Sequence, residues 1–388
     1  MFYQASALTL CTLLLAASAI RKLSLFSPPV VTGVVWSIVF IAGLAFSDKF
    51  YPLTDQAFFA WLIWFSITGI GSFFLAPGGC QRSYYNSVRT LNFDYSFLML
   101  LLILWLGYRI WVVGSTGPEH FFLNLRLSSN QIEGFEPLGL VGRFYPLVFA
   151  LFIFEHIFAN EKNRRRRVLC WVWMLAYAVA TMGKFAVLTP IFTYCAIRGI
   201  QGRFKLRTIV AMGSCAFFLM LLVHFVRRGS EDGATFLDML AIYIYSPLVA
   251  LGHLEQSVAE QFLPHIFRLA YAVGSALNLT DPPVAVILDY VETPISTNVY
   301  TAMQPFMQDG GLLGVAFGAA VYMVTFSFLY RRSLSGHDLS LALYAALSVI
   351  LVAQFIGDLF VTLLSLNIQL FVFTALIFFL SRRVERVR

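Results

Sequence analysis

Eleven apolar runs constrain this chain more than any other feature of its sequence. Crossing the hydrocarbon core of a bilayer takes about 20 apolar residues, so the pattern predicts an all-α polytopic membrane protein with about 11 transmembrane helices. Hydrophobic residues make up 59% of the 388 and charged residues only 12%, whereas soluble domains carry about 25% charged residues. We therefore expect one integral membrane domain over residues 1–388 and no large soluble domain. The runs lie near 2–20, 30–47, 57–76, 95–113, 138–159, 168–182, 185–198, 208–226, 311–330, 339–357 and 359–380.

The basic residues are divided unequally between the two ends of these runs. With the amino terminus outside, 19 of the 27 lysines and arginines fall on the inside, as expected from the excess of basic residues on cytoplasmic loops. This orientation predicts an inside carboxyl terminus and two long outer loops, at 114–137 and 227–310. The long loop contains an apolar segment, 262–279, that we interpret as an interfacial or re-entrant helix.

Sequence motifs exclude several classes of function. Walker A, HExxH, GxSxG, DxD and dinucleotide-binding glycine patterns do not occur in the sequence, which argues against ATP-driven transport, zinc proteolysis and metal-held nucleotide sugars. Four of the five cysteines lie inside apolar runs, where neither a disulfide framework nor a zinc site is expected. We predict no metal, no cofactor and no nucleic-acid partner.

Five basic residues stand out because they lie on the outer side, where such residues are scarce. Arginine binds phosphate oxygens bidentately and stays charged, so several arginines at one membrane face would suit a lipid-linked diphosphate. The alternatives are ion pairs with the outer acidic residues and, for the lysine, a side chain that reaches up to the interface. The five residues are Arg126, Lys184, Arg227, Arg228 and Arg268.

Three other residues of the long outer loop could accept a proton. His253 and Glu255 lie two residues apart, and Asp309 immediately precedes the ninth predicted span. A sugar hydroxyl that attacks an anomeric carbon needs a base near neutral pH. For Asp309, capping of the helix that follows is the alternative role. That span begins with the small residues Gly310, Gly314 and Gly318, a spacing that lets another helix approach closely.

The segment Thr297-Asn298-Val-Tyr300-Thr301, followed by Pro305-Phe-Met-Gln-Asp309-Gly-Gly-Leu-Leu-Gly314, resembles the oligosaccharide repeat-unit polymerases, the O-antigen polymerases of the Wzy type. The segment Ile242-Tyr-Ile-Tyr245-Ser-Pro247-Leu resembles the aromatic-proline element that opens the long outer loop of that family. The number of predicted spans, the two outer loops and the basic carboxyl terminus also match the family's plan.

The resemblance implies a metal-independent glycosyltransferase of the GT-C type in a bacterial inner membrane, with a periplasmic amino terminus. It would polymerise undecaprenyl-diphosphate-linked repeat units at the periplasmic face, with a polysaccharide chain-length regulator as a further expected partner besides the membrane lipids. Tyr300 would then stack on a sugar and Asn298 would bind its hydroxyls. Of the possible bases, Asp309 is favoured over His253 because it lies within the family-like motif. The outer-loop arginines would bind the diphosphates.

Three other functions remain open. An O-antigen ligase of the same GT-C type would transfer a finished glycan to a lipid A core with similar outer-loop arginines. A lipid-linked oligosaccharide flippase would be a transporter, and such proteins are usually longer and carry charged residues along a central cavity. A non-catalytic assembly scaffold is the third. The concentration of charged residues in one outer loop favours the polymerase.

Overall fold

Helices dominate the chain, as the apolar runs predict for an all-α membrane protein. The computed structural model describes all residues except 79–87, 92, 131, 162, 203–206, 208–210, 215–217, 220–242, 255–260, 286, 287, 289, 295 and 385–388. In this described part, six helices are long and apolar enough to cross a membrane, and three more are apolar but shorter. Ten of the eleven apolar runs coincide with helices, and the run at 208–226 lies mostly outside the described residues. The total of 11 spans stays a prediction.

The described residues form 14 α-helices and four short strands. A π-helical turn, Ser66–Gly71, joins the helices Asp55–Phe65 and Ser72–Leu75, and a 3-10 turn, Gly139–Phe144, leads into the helix Tyr145–Ile157. In chain order the helices are α1 Phe2–Ile20, α2 Pro28–Ala45, α3 Asp55–Phe65, α4 Ser72–Leu75, α5 Ser96–Thr116, α6 Phe121–Ser129, α7 Tyr145–Ile157, α8 Arg164–Thr181, α9 Lys184–Ile200, α10 Ser246–Leu251, α11 Arg268–Ala276, α12 Gln304–Leu334, α13 Asp338–Ala353 and α14 Leu364–Leu380. The strands are β1 Val88–Thr90, β2 Val291–Glu292, β3 Ser296–Thr297 and β4 Arg382–Val384, paired antiparallel as β1 with β4 and β2 with β3.

The chain forms two compact units, and the single membrane domain over residues 1–388 stays a prediction. Unit 1 contains Met1–Gln81, Gly233–Arg332 and Ile350–Asn367. Unit 2 contains Arg82–Asp232, Ser333–Val349 and Ile368–Arg388. Each unit is therefore built from three separate stretches of sequence.

The interior of unit 1 is rich in tryptophan. Trp36 of α2 and Trp64 of α3 are fully buried, and both indole nitrogens donate hydrogen bonds to Oε1 of Gln354, at 3.1 and 2.9 Å. The backbone carbonyl of Gln354 accepts a hydrogen bond of 2.8 Å from the backbone nitrogen of Ala302. Because a buried polar group is stable only when it is paired, this amide fixes the segment that leads into α12.

The interior of unit 2 is centred on α8, which packs against α5, α6, α7 and α9. Trp173 and Cys170 on α8 are fully buried, as is Phe152 on α7. The helix ends at Thr181, and the next residue, Met182, has a left-handed conformation with φ 46°, and α9 begins at Lys184. Only two residues therefore connect the helices of the predicted spans 168–182 and 185–198.

Candidate functional site

The family-like motif around Asp309 lies at a break in α12. Gly311 has φ 56° and ψ −143°, a conformation that residues with a Cβ rarely adopt. It divides the helix into a short piece, 304–310, and a long piece that continues to Leu334. The predicted span starts at Gly310, but the helix begins at Gln304, six residues earlier.

The short piece of α12 folds back onto the long one. A Cβ added to Gly314 would lie 2.0 Å from the carbonyl oxygen of Phe306, and one added to Gly318 would lie 2.5 Å from the Phe306 ring. Eight residues of a continuous α-helix span about 12 Å, so only a reversal at Gly311 explains this contact. The close approach predicted from the small residues is present, and the segment that approaches them is the chain's own preceding turn.

The reversal buries the carboxylate of Asp309 against another part of the long loop. One oxygen, Oδ2, accepts hydrogen bonds from the backbone nitrogens of His265 (3.0 Å) and Ile266 (2.8 Å). The other, Oδ1, lies 2.7 Å from Nδ1 of His265, and the Asp309 side chain has no exposed surface. Asp309 thus caps the turn at 265–266 instead of the helix that follows it, since it lies inside α12.

His265 is a candidate functional residue that the sequence patterns did not indicate. A carboxylate only accepts hydrogen bonds, so the contact with Asp309 places a proton on Nδ1. In the neutral imidazole, Nε2 is then the acceptor. The side chain is 10% exposed, and no described residue is hydrogen-bonded to Nε2. The available signal was its position three residues before Arg268 in the apolar segment 262–279, which a search for paired basic and titratable residues would have found.

Arg268 lies beside His265 at the same small recess. It is the first residue of α11, and its Nε donates a hydrogen bond of 2.9 Å to the carbonyl oxygen of Val284. Burial lowers the pKa of Arg268 from its ordinary value, although an arginine stays charged in proteins. The recess encloses about 20 Å³, room for roughly one water molecule. Its lining residues are His265, Arg268, Val284, Ala285, Leu288, Gln304, Pro305 and Thr362.

The other predicted residues of the long loop do not line this recess. His253 is exposed, with its ring centroid 5.8 Å from that of Tyr51. Asn298 is half-buried, and Tyr300 is only 5% exposed, so stacking on a sugar would require its ring to become accessible. Glu255, Arg227 and Arg228 lie outside the described residues.

In unit 2, the helix that carries Arg126 packs against the end of α8. Leu125 is buried in one apolar cluster with Met182 and Val113, and the hydroxyl of Ser129 donates a hydrogen bond of 3.0 Å to the carbonyl oxygen of Thr181. The backbone of Lys184, whose side chain is not described, begins α9 just beyond this contact. The fold therefore brings the stretches that carry two of the predicted basic residues to one end of unit 2.

Within the described ranges, no group of three or more histidine, cysteine, aspartate or glutamate residues could hold a metal ion. Comparisons with family models, with curated proteins and with solved structures yield no match to this chain.

Proposed function

We propose that this protein is a membrane glycosyltransferase of the GT-C type that polymerises undecaprenyl-diphosphate-linked oligosaccharide repeat units. One observation carries the proposal. Asp309, the acidic residue of the family-like motif, holds His265 beside Arg268 at one recess. The three residues supply a base, a group that orients it and a cation, and glycan transfer from a diphosphate carrier needs these groups.

In the proposed reaction, Nε2 of His265 takes the proton from a hydroxyl of the incoming repeat unit. The hydroxyl oxygen forms a bond to the anomeric carbon of the growing glycan, and the bond from that carbon to the diphosphate oxygen breaks. Undecaprenyl diphosphate leaves with the electron pair, and the longer glycan stays on the incoming carrier. Because the leaving group gains negative charge as the bond breaks, Arg268 would stabilise the transition state more than the ground state.

This reaction changes the role expected for Asp309. Both of its oxygens already accept hydrogen bonds, and the side chain has no exposed surface, so a sugar hydroxyl cannot reach it directly. A carboxylate that accepts a hydrogen bond from Nδ1 fixes the tautomer and the orientation of an imidazole. Asp309 is therefore proposed as the positioning residue and His265 as the base.

Helix α11 supports a location at the membrane surface. Its neighbourhood exposes the apolar side chains of Phe267, Val273 and Leu277, which are 45, 54 and 62% exposed. A short helix with an apolar exposed side and an arginine at its start is typical of segments that lie in the interface. A diphosphate carried on a lipid tail stays at that level, where Arg268 could reach it. Arg126 and Lys184 of unit 2, which the sequence predicts on the outer side, are also proposed to bind diphosphate.

The proposed orientation has the amino terminus in the periplasm of a bacterial inner membrane and the carboxyl terminus in the cytoplasm. Single cysteines introduced at Ser230 and Ser335 test it, in a background without the five native cysteines. An impermeant thiol reagent should label the first in intact spheroplasts and should label the second only after permeabilisation. The opposite pattern would refute the orientation and the periplasmic site.

Deletion of the gene in its own host tests the function. A polymerase mutant should accumulate undecaprenyl diphosphate that carries one repeat unit, measured by mass spectrometry of lipid extracts, and should lose the ladder of long glycans. A ligase mutant would instead accumulate long glycan on the carrier. A flippase mutant would retain single units in the inner leaflet, out of reach of periplasmic glycosidases. Either of the last two results would replace the proposed function.

A further inference from the structure

A second site lies entirely within unit 2, where the end of α7, the start of α8 and the end of α9 meet. These ends surround a cavity of about 330 Å³, much larger than the recess at His265. Its lining includes three arginines, Arg164, Arg167 and Arg198, together with His156, Trp171 and Tyr194. None of the candidate glycan-transfer residues belongs to it.

The cavity is positively charged, and its lining residues do not neutralise this charge. In the part of the chain that the structure describes, the lining contains no carboxylate. Arg167 donates hydrogen bonds to the carbonyl oxygen of Asn160 and to Oδ1 of Asn163, so it holds the turn between α7 and α8. The Arg164 and Arg198 side chains make no hydrogen bond or ion pair with a described residue, and both are therefore available to an anion.

His156 does not contribute charge to the cavity. Its Nδ1 lies 2.7 Å from the carbonyl oxygen of Phe152, which can only accept, and its Nε2 lies 2.9 Å from the indole nitrogen of Trp171, which can only donate. The ring is therefore the neutral tautomer with its proton on Nδ1, and both nitrogens are occupied. The His156 ring therefore has a fixed orientation in the cavity lining, and the Tyr194 ring packs edge-on against it with ring centroids 5.4 Å apart.

From this arrangement we propose that the cavity binds a phosphate group, either the headgroup of an anionic membrane lipid or a soluble phosphate. Guanidinium groups on two helix ends match the oxygens of a phosphate. A volume near 330 Å³ is at the small end of ligand pockets and suits a headgroup rather than a whole sugar chain. The helices that form the cavity are apolar, so membrane lipid would lie next to it. The predicted orientation places these basic helix ends at the cytoplasmic leaflet, which is rich in anionic lipid.

The test measures binding to the purified full-length protein by native mass spectrometry. Phosphatidylglycerol, phosphatidylcholine and inorganic phosphate are the three probes. The variants are Arg164→Gln and Arg198→Gln, and the matched control is Arg165→Gln, which removes the same charge from an exposed side chain of the same helix turn outside the cavity. Arg198→Lys keeps the positive charge, and it replaces Arg198→Gln in the test if the glutamine variant does not fold.

We expect phosphatidylglycerol to bind in preference to phosphatidylcholine, and each glutamine variant to weaken it about tenfold while the Arg165→Gln control stays within twofold. Binding that millimolar inorganic phosphate displaces, with the same dependence on Arg164 and Arg198, would support the site and assign it to a soluble phosphate. An equal loss in Arg165→Gln would overturn the proposal. So would a protein that neither prefers the anionic lipid nor binds inorganic phosphate through Arg164 and Arg198. Because the readout is binding, this result is independent of glycan polymerisation.

Discussion

Two histidines of this protein, His265 and His156, have similar neighbours and different chemical capacities. Each lies beside arginine at a hollow of the structure, and each has its Nδ1 within 2.7 Å of an oxygen. For His156 the second nitrogen is occupied by the indole of Trp171, whereas for His265 no described residue is bonded to it. The second ring nitrogen therefore decides whether an imidazole can act as a base or only as structure.

Replacing each histidine by glutamine is the strongest test of this comparison. His265→Gln should reduce the polymerisation rate by about 100-fold or more, because general base catalysis contributes at least that factor. His156→Gln should leave the rate per molecule unchanged and lower the free energy of unfolding by about 1–3 kcal/mol, since it disturbs buried hydrogen bonds. Glycan length at matched membrane levels and thermal melting in detergent measure the two effects. Full polymerisation by His265→Gln would reject it as the base.

The next test concerns the hydrogen-bond acceptor of each Nδ1, which is a carboxylate for His265 and a backbone carbonyl for His156. Asp309→Asn should lower the rate by about 10- to 100-fold, as the amide no longer holds the required tautomer. The matched control is Glu155→Gln in unit 2, a buried carboxylate bonded to the hydroxyl of Tyr95 with no imidazole. The control should lose stability without losing rate. Normal glycan length in Asp309→Asn would show that the carboxylate is only a cap.

The arginines sharpen the comparison further. Arg268→Ala should reduce the rate by about tenfold, because one charge-assisted contact to the leaving diphosphate is lost, and Arg268→Lys should restore only part of it. Arg198→Gln, at the cavity of His156, should leave the rate unchanged. The same assay of glycan length checks all three variants. If the rate of Arg198→Gln fell as far as that of Arg268→Ala, both sites would be required for polymerisation.

The smallest expected effect concerns how the His265 site is assembled. His156 and its neighbours come from consecutive helices, whereas His265 depends on the fold-back at Gly311. Gly314→Ala would place a Cβ 2.0 Å from the carbonyl oxygen of Phe306, and overpacking of this kind costs about 1–3 kcal/mol. Gly310→Ala is the control, since its Cβ would meet nothing within 4 Å. Equal melting temperatures for the two variants would show that the fold-back is not needed for stability.

Local chemistry explains which features could be predicted before the structure. The apolar runs fix helices because a membrane requires every backbone group to be paired within its own segment, and this holds for α1 over residues 2–20 without any knowledge of its neighbours. The contact of a second segment with Gly314 and Gly318 was also predictable, since small residues permit close approach.

The partner of Asp309 could not be predicted in the same way. His265 is 44 residues away in sequence, and no periodicity links an isolated histidine in an apolar loop to a distant carboxylate. For the same reason, the exposure of His253 and the burial of Tyr300 depend on which segments pack over them. Sequence patterns indicate which residues are neighbours along one helix. The contacts of Asp309, His253 and Tyr300 are instead made between different elements, which such patterns do not reveal.

The sequence by itself determined that this chain is an all-α membrane protein, because hydropathy and length act through each segment alone. It also placed basic residues at particular helix ends. Only the tertiary structure decided which of those residues share a recess or a cavity, because the reversal at Gly311 and the meeting of α7, α8 and α9 are set by packing between segments distant in sequence. Reactivity follows from that packing, since the second nitrogen of an imidazole is free or occupied only once the chain has folded.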